Sequence, residues 1–122
     1  MFDDHSPIYR QIADATTRDI LNGTLQEEEQ VMSTNQYAAF YRINPATAAK
    51  GFQSLVDAGV LYKKRGIGMF VSTGARAQLQ QEHRERFRGE VLVPMLAEAN
   101  AIGMSLADVI EHLRSLAAEE AP

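Results

Sequence analysis

Lys63, Lys64 and Arg65 stand side by side and run into Gly66, Ile67 and Gly68. Three adjacent cations on a turn relieved by two glycines can be brought close to a polyanion, because glycine widens the backbone's allowed conformations. Upstream, Asn44-Pro45-Ala46-Thr47 reads as a helix start, with Asn as the cap and Pro at the first helical position. Such a start aims unpaired N–H groups outward, where they favour phosphate. Lys50 follows one turn later and suits a phosphate or a guanine. Ser33-Thr34-Asn35 opens another helix, and Gln36 completes a capping box with Ser33. Each piece has a plain structural reading as a cap, a helix start or a charged turn; the combination is more specific than its parts.

The 122 residues carry a net charge of −4, which on its face argues against a polyanionic partner. The charge is uneven, however: residues 1–35 sum to −5, residues 36–72 to +4 and residues 73–122 to −3. A basic block between acidic ones can steer a polyanion, although a merely solvated basic face gives the same count. There is no cysteine, which excludes disulfides and thiolate chemistry. The histidines, His5, His83 and His112, are scattered, and no nucleophilic triad, phosphate loop or paired-carboxylate signature appears. No catalytic residue, metal or cofactor is expected. The acidic start MFDDHSPIYRQ and the short apolar runs give neither a signal peptide nor a membrane span, so a cytoplasmic location and no membrane partner are expected.

These residues need elements to hold them. Ile8, Ile12, Ala15 or Thr16, and Ile20 recur at helical spacing from Ser6-Pro7 to Gly23. Residues 26–30 read as loop. A short helix over 34–41 carries Tyr37, Ala38 and Tyr41 inward. A third helix, about 45–58, has Ala48, Phe52, Leu55 and Val56 on one stripe, with Ala46, Thr47, Lys50 and Gln53 off it. Residues 60–63 and 69–72 then form a hairpin with the cationic turn at its tip. Beyond Gly74, Leu79, His83, Phe87 and Val91 make one narrow seam at spacing four. Pro94 is expected to kink or end that helix. Ser105 and Asp108 cap a last helix with Leu106, Val109 or Ile110, Leu113 and Leu116 on its apolar side, and the tail from Ala118 is expected to fray.

Helix, helix, tight turn, helix and hairpin in that order make a winged helix-turn-helix. The fold class is therefore mainly α with a small β-hairpin: a winged helix-turn-helix domain over 1–73, then a short two-helix dimerisation region over 74–122. The recognition helix, about 45–58, fits a major groove about 12 Å wide, and the wing, 63–70, fits the flanking backbone or the minor groove. The tail seams, at Leu79, Phe87 and Val91 and at Leu106, Ile110, Leu113 and Leu116, cannot be buried by two helices alone. A second copy of the chain is the economical partner. Whether a small-molecule effector of unknown identity binds stays open, since two helices leave little room for a pocket of about 300 Å³.

From Pro7 to Val71 the chain resembles the winged-helix domain of GntR-type bacterial transcription regulators. The resemblance lies in Pro7-x-Tyr9-x-Gln11-Ile12, Gly23-x-Leu25, Ser33, Ala38, Ile43-Asn44-Pro45-x-Thr47, Leu55-x-x-x-Gly59-Val60-Leu61 and Arg65-Gly66-x-Gly68-x-Phe70-Val71. The Ile-Asn-Pro-x-Thr form and the short tail are similar to the YtrA-like subfamily. The resemblance implies a homodimer that binds a palindromic operator in double-stranded DNA, usually as a repressor. It implies DNA contacts from Ser33, Thr34 and Asn35, from Asn44, Ala46, Thr47 and Lys50, and from the wing residues Lys63, Lys64, Arg65, Gly66 and Gly68. The chain departs from the family pattern at Met32, where proline is usual, at Asn35, where arginine is usual, and at Glu27-Glu28, where Pro-Gly is usual. The low pI of about 5.3 keeps a second reading in view, a winged helix that binds protein through its tail. Acids at 27–29 would weaken DNA binding if they lay near the duplex.

Overall fold

A computed structural model describes residues 2–121. The chain divides into two compact units at Gln81/Glu82. In the first, α1 (Ile8–Leu21) turns Ile12, Thr16 and Ile20 inward, and the buried Thr16 hydroxyl donates to the Ile12 carbonyl at 3.0 Å. Short α2 (Thr34–Tyr41) opens on the expected capping box, with both the Ser33 and the Gln36 side chains engaged. α3 (Pro45–Asp57) opens on Asn44, whose Oδ1 accepts from the Ala46 N–H at 2.7 Å, and buries Ala48, Gly51, Phe52 and Leu55. Tyr37 and Phe52 meet edge to face at 5.1 Å and join α2 to α3.

Arg42 closes α2 at φ 57°, in the left-handed region, where its N–H and that of Ile43 both return to the Ala38 carbonyl. Left-handed backbone costs a residue with a Cβ about 1–2 kcal/mol, whereas glycine loses about 0.5–1 kcal/mol more chain entropy on folding. The first term is the larger. Arg42→Gly is therefore expected to raise the melting temperature by about 3 °C, given 4–8 °C per kcal/mol for a domain of this size. A circular-dichroism melt that falls instead would show that the guanidinium makes interactions worth more than the strain.

The wing is an antiparallel hairpin, β1 (Leu61–Lys64) and β2 (Gly68–Val71), pairing Tyr62 with Phe70 and Lys64 with Gly68. Its strands begin and end one residue off the expected positions. Val60 is occupied as the helix-ending turn, its N–H bonded to the Leu55 carbonyl at 2.9 Å. The segment read as loop does more than connect. The Glu28 N–H donates to the Val71 carbonyl at 2.8 Å, the Val71 N–H to Glu29 at 3.0 Å and the Val31 N–H to Met69 at 2.9 Å. Gln30 bridges to Phe70, so residues 28–31 cover the free edge of β2.

α4 (Ala75–Phe87) follows, and the division between units falls inside it rather than at 73/74, because Ala75 and Leu79 belong to the core of the first unit. Leu79 is only 4% exposed and packed there, which removes it from the expected dimerisation seam. Pro94 does not end the helix. A π-helical stretch at Arg88–Leu92 precedes α5 (Val93–Ala101), which takes Pro94 into its first turn. A widened turn there accommodates a residue that has no N–H to give and a ring that crowds the carbonyl four residues back. α6 (Leu106–Glu120) starts on the expected Ser105–Asp108 capping box. It runs to Glu120 where fraying from Ala118 is expected, carried by the helix formers Ala117, Ala118, Glu119 and Glu120; Pro122 lies outside the described residues. Among the described residues no single helix is long and apolar enough to cross a membrane.

Candidate nucleic-acid interface

Two helix starts and the wing supply the site. Ser33 and Asn35 are exposed and Thr34 half-buried at the start of α2, while Asn44 and Ala46 are exposed and Thr47 half-buried at the start of α3. The caps consume part of their side chains. The Ser33 hydroxyl accepts from the Gln36 N–H at 3.1 Å and keeps its own proton to donate. Asn44 accepts through Oδ1, so its amide NH₂ remains as a donor. Both caps can therefore give hydrogen bonds to phosphate oxygens or to acceptor edges of bases.

The cations expected to act together at the wing tip are divided by the pleat, whose side chains alternate between faces. The Lys63 ammonium donates to Gln53 Oε1 at 2.8 Å, and Gln53 in turn donates to Asp57 at 2.8 Å, which ties the wing to the polar side of α3. Lys64 points the other way: its ammonium lies 4.6 Å from the Phe70 ring centre and 5.9 Å from that of Tyr62. Arg65 and Gly66 occupy the turn, where Gly66 has φ 77° and open space around its α-carbon. At Gly68, φ 151°, a Cβ would meet Gln30 Nε2 at 2.5 Å; that amide donates to the Ile67 carbonyl at 3.2 Å. A groove of about 380 Å³ separates Ser33 and Thr34 from wing residues 63–69. The structure thus brings the α2 start and the wing tip to one concavity. On α3, the Lys50 ammonium lies 4.1 Å from the Tyr9 ring centre, an attraction between cation and ring face.

Three neighbours of the candidate residues escape a reading from spacing alone. Tyr9 carries Lys50, Gln53 carries Lys63, and Glu28 reaches the base of the wing. Tyr9 sits in the Pro7-x-Tyr9 motif and Gln53 on the polar side of α3, but neither position announces the lysine it holds. Glu28 accepts from the Tyr62 hydroxyl and from Thr73 Oγ1, and Glu27 accepts from the Gly74 N–H. The Thr73 and Tyr62 hydrogen bonds hold the Glu28 carboxyl below the usual carboxylate range, with a further pull from Lys64. The same carboxylate pushes the Tyr62 phenol up.

In the second unit a groove of about 240 Å³ lies between α5 and α6, among Met95, Ala99, Met104, Val109 and His112. Among the described residues no group of three or more histidines and carboxylates could hold a metal ion.

No family model matches the sequence. A chain from Bacteroides thetaiotaomicron, described as a transcriptional regulator of the GntR family, has a crystal structure that superposes with a TM-score of 0.79 at 30% identity, over 93% of this chain and 99% of that one. The transcriptional repressor YtrA of Bacillus subtilis is 25% identical over 93% of this chain and 87% of its own length. The DNA-binding domain of AraR, crystallised with an operator, has the same fold with a TM-score of 0.55 at 23% identity, over 59% of this chain and 93% of that domain.

Proposed function

Because the chain belongs to the GntR family of transcriptional regulators, we propose that it binds a palindromic operator as a homodimer and represses transcription from it. The observation that carries the reading is the groove between the α2 start and the cationic wing, together with a capped α3 N-terminus exposed at Asn44 and Ala46. Backbone and side-chain donors there suit phosphate, and the small residues Ala46 and Thr47 let α3 enter a major groove closely. Thr47, Asn44 and Lys50 read bases or the adjacent phosphate; Ser33, Thr34, Asn35, Lys63, Lys64 and Arg65 hold the backbone. The repressor sense is supported by the relative YtrA, which carries that name. The dimer is supported by the second unit. Among its described residues only Ala99 and Val109 are buried, and a piece of about 40 residues has too little core to stand by itself. Phe87, Val91, Leu106, Ile110, Leu113 and Leu116 form the seam.

The test is binding of a palindromic promoter fragment at increasing salt. Each phosphate contact contributes a slope of about −0.9 in log K against log salt on duplex DNA. A flat response would exclude a phosphate-binding groove. Arg65→Ala is expected to weaken every sequence alike and lower the slope by about one. Thr47→Ala is expected to change which base is preferred, at a cost of about 1–3 kcal/mol on the preferred operator. An unchanged preference would remove Thr47 from base readout.

A further inference from the structure

Glu28 looks, by charge, like an obstacle to DNA. It stands in the loop that covers β2, and where the family pattern has glycine its backbone is held at φ 68°, a left-handed conformation unusual for a side chain. The side chain accounts for the exception. Its carboxylate takes a hydrogen from Tyr62 in β1 and another from Thr73 just after β2, residues far apart in sequence, while the neighbouring Glu27 takes the Gly74 N–H. The Tyr62 ring so held stacks on Phe70 with centres 5.8 Å apart, and the Lys64 ammonium rests over this aromatic pair. One chain of interactions therefore runs from the acid, through two rings, to a wing cation.

We propose that Glu28 is a positioning residue of the wing, which fixes the Tyr62–Phe70 face and through it aims Lys64 at a DNA phosphate, so that this acid strengthens DNA binding despite its charge. The inference rests on the reading that the wing binds DNA. Direct repulsion from one exposed carboxylate is screened within about 8 Å at physiological salt, whereas a lysine left to wander gives up its phosphate outright. By the salt law, removing one phosphate from the protein's reach makes binding weaker by about fivefold at 0.15 M salt and reduces the slope by about 0.9.

The experiment measures operator affinity against salt for the full chain carrying Glu28→Gln, Glu28→Gly and Tyr62→Phe, each alone and with Lys64→Ala. Glu28→Gly also releases the left-handed backbone, so its effect is not one of strain. The expected result is weaker binding by about fivefold and a lower slope for Glu28→Gly, losses in the same direction for the two isosteric variants, and no further loss in the Lys64→Ala background. Tighter binding for both Glu28 variants, with Tyr62→Phe unchanged, would show simple repulsion and overturn the proposal. Equal losses with and without Lys64 would overturn it too, since a general loosening of the fold does not depend on that lysine. The free protein supplies a readout without DNA: magnetisation transfer between Lys64 methylene and Phe70 ring protons, present in the native chain and absent from Glu28→Gly. If it persists in Glu28→Gly, Glu28 does not position Lys64, whatever the operator does. If it disappears but the native chain binds no DNA, the positioning stands and the DNA-binding reading fails.

Discussion

Gly51→Val is expected to destabilise the first unit severely, lowering its melting temperature by more than about 12 °C. A Cβ at Gly51 would lie 2.9 Å from the Tyr9 carbonyl oxygen and 3.1 Å from both Cβ and Cγ2 of Ile12. The first neighbour is backbone, and Ile12 is fully buried, so neither can step aside cheaply. At this point α3 offers no side chain of its own, so its backbone seats directly on the Tyr9 carbonyl and the Ile12 side chain of α1. Alanine would gain about 1 kcal/mol of helix propensity over glycine and lose about 1–3 kcal/mol to overpacking, a modest net loss. Valine adds two more carbons and a stiff χ1, so the loss is expected to exceed about 3 kcal/mol. A unit of this size has about 4–12 kcal/mol in total, and the melting temperature should fall by more than about 12 °C. The melt of the full chain followed by circular dichroism checks both variants; a rise for Gly51→Ala would show that the helices separate without cost. The same close approach fixes the height of α3 above Tyr9, whose ring carries Lys50, one of the residues proposed to meet DNA.

What the sequence made legible was local. Helix starts could be read because the cap and the N–H groups it satisfies lie within four residues, as at Ser33–Gln36, Asn44–Ala46 and Ser105–Asp108. The buried stripes of α1 and α3 followed from periodicity, except that Ile8, counted on the first, lies exposed at the helix start, before the core begins at Ile12. Gly51 did not, since a glycine on a helix carries no sign that another backbone passes over it. The three wing cations were adjacent in sequence and so looked like one cluster, yet the two-residue period of a strand sends Lys63 to Gln53 and Lys64 to Phe70. Glu28 was least legible: its hydrogen-bond partners Tyr62 and Thr73 are far along the chain, and its charge pointed away from the wing-positioning role proposed for it. Leu79 had the spacing of a seam residue, and spacing alone does not tell that it packs into the winged core.

Ile110→Asp combined with Leu113→Asp is expected to convert the protein into a monomer and to weaken operator binding by about a hundredfold to ten-thousandfold, the range lost when two linked binding events become separate. On α6 the apolar stripe of Leu106, Val109, Ile110, Leu113 and Leu116 is wider than one neighbouring helix can cover. Val109 is spent against α5, at 7% exposed, while Ile110 and Leu113 remain open to water, at 38% and 47%. A carboxylate at either position costs little in the lone chain, where water reaches it, and much across a twofold axis, where it faces its own copy. Helix content should therefore hold while the mass in solution halves. Affinity for a fragment carrying one half-site should stay as it was, because the winged unit has its own core, closed by Leu79. A dimer that survives both aspartates would place the self-association surface elsewhere. A monomer that still binds the full palindrome as tightly would make the second unit irrelevant to operator recognition. With dimerisation abolished and half-site binding kept, the acidic second unit takes a physical role: its charge need not approach DNA, because joining two winged units is its part in the complex.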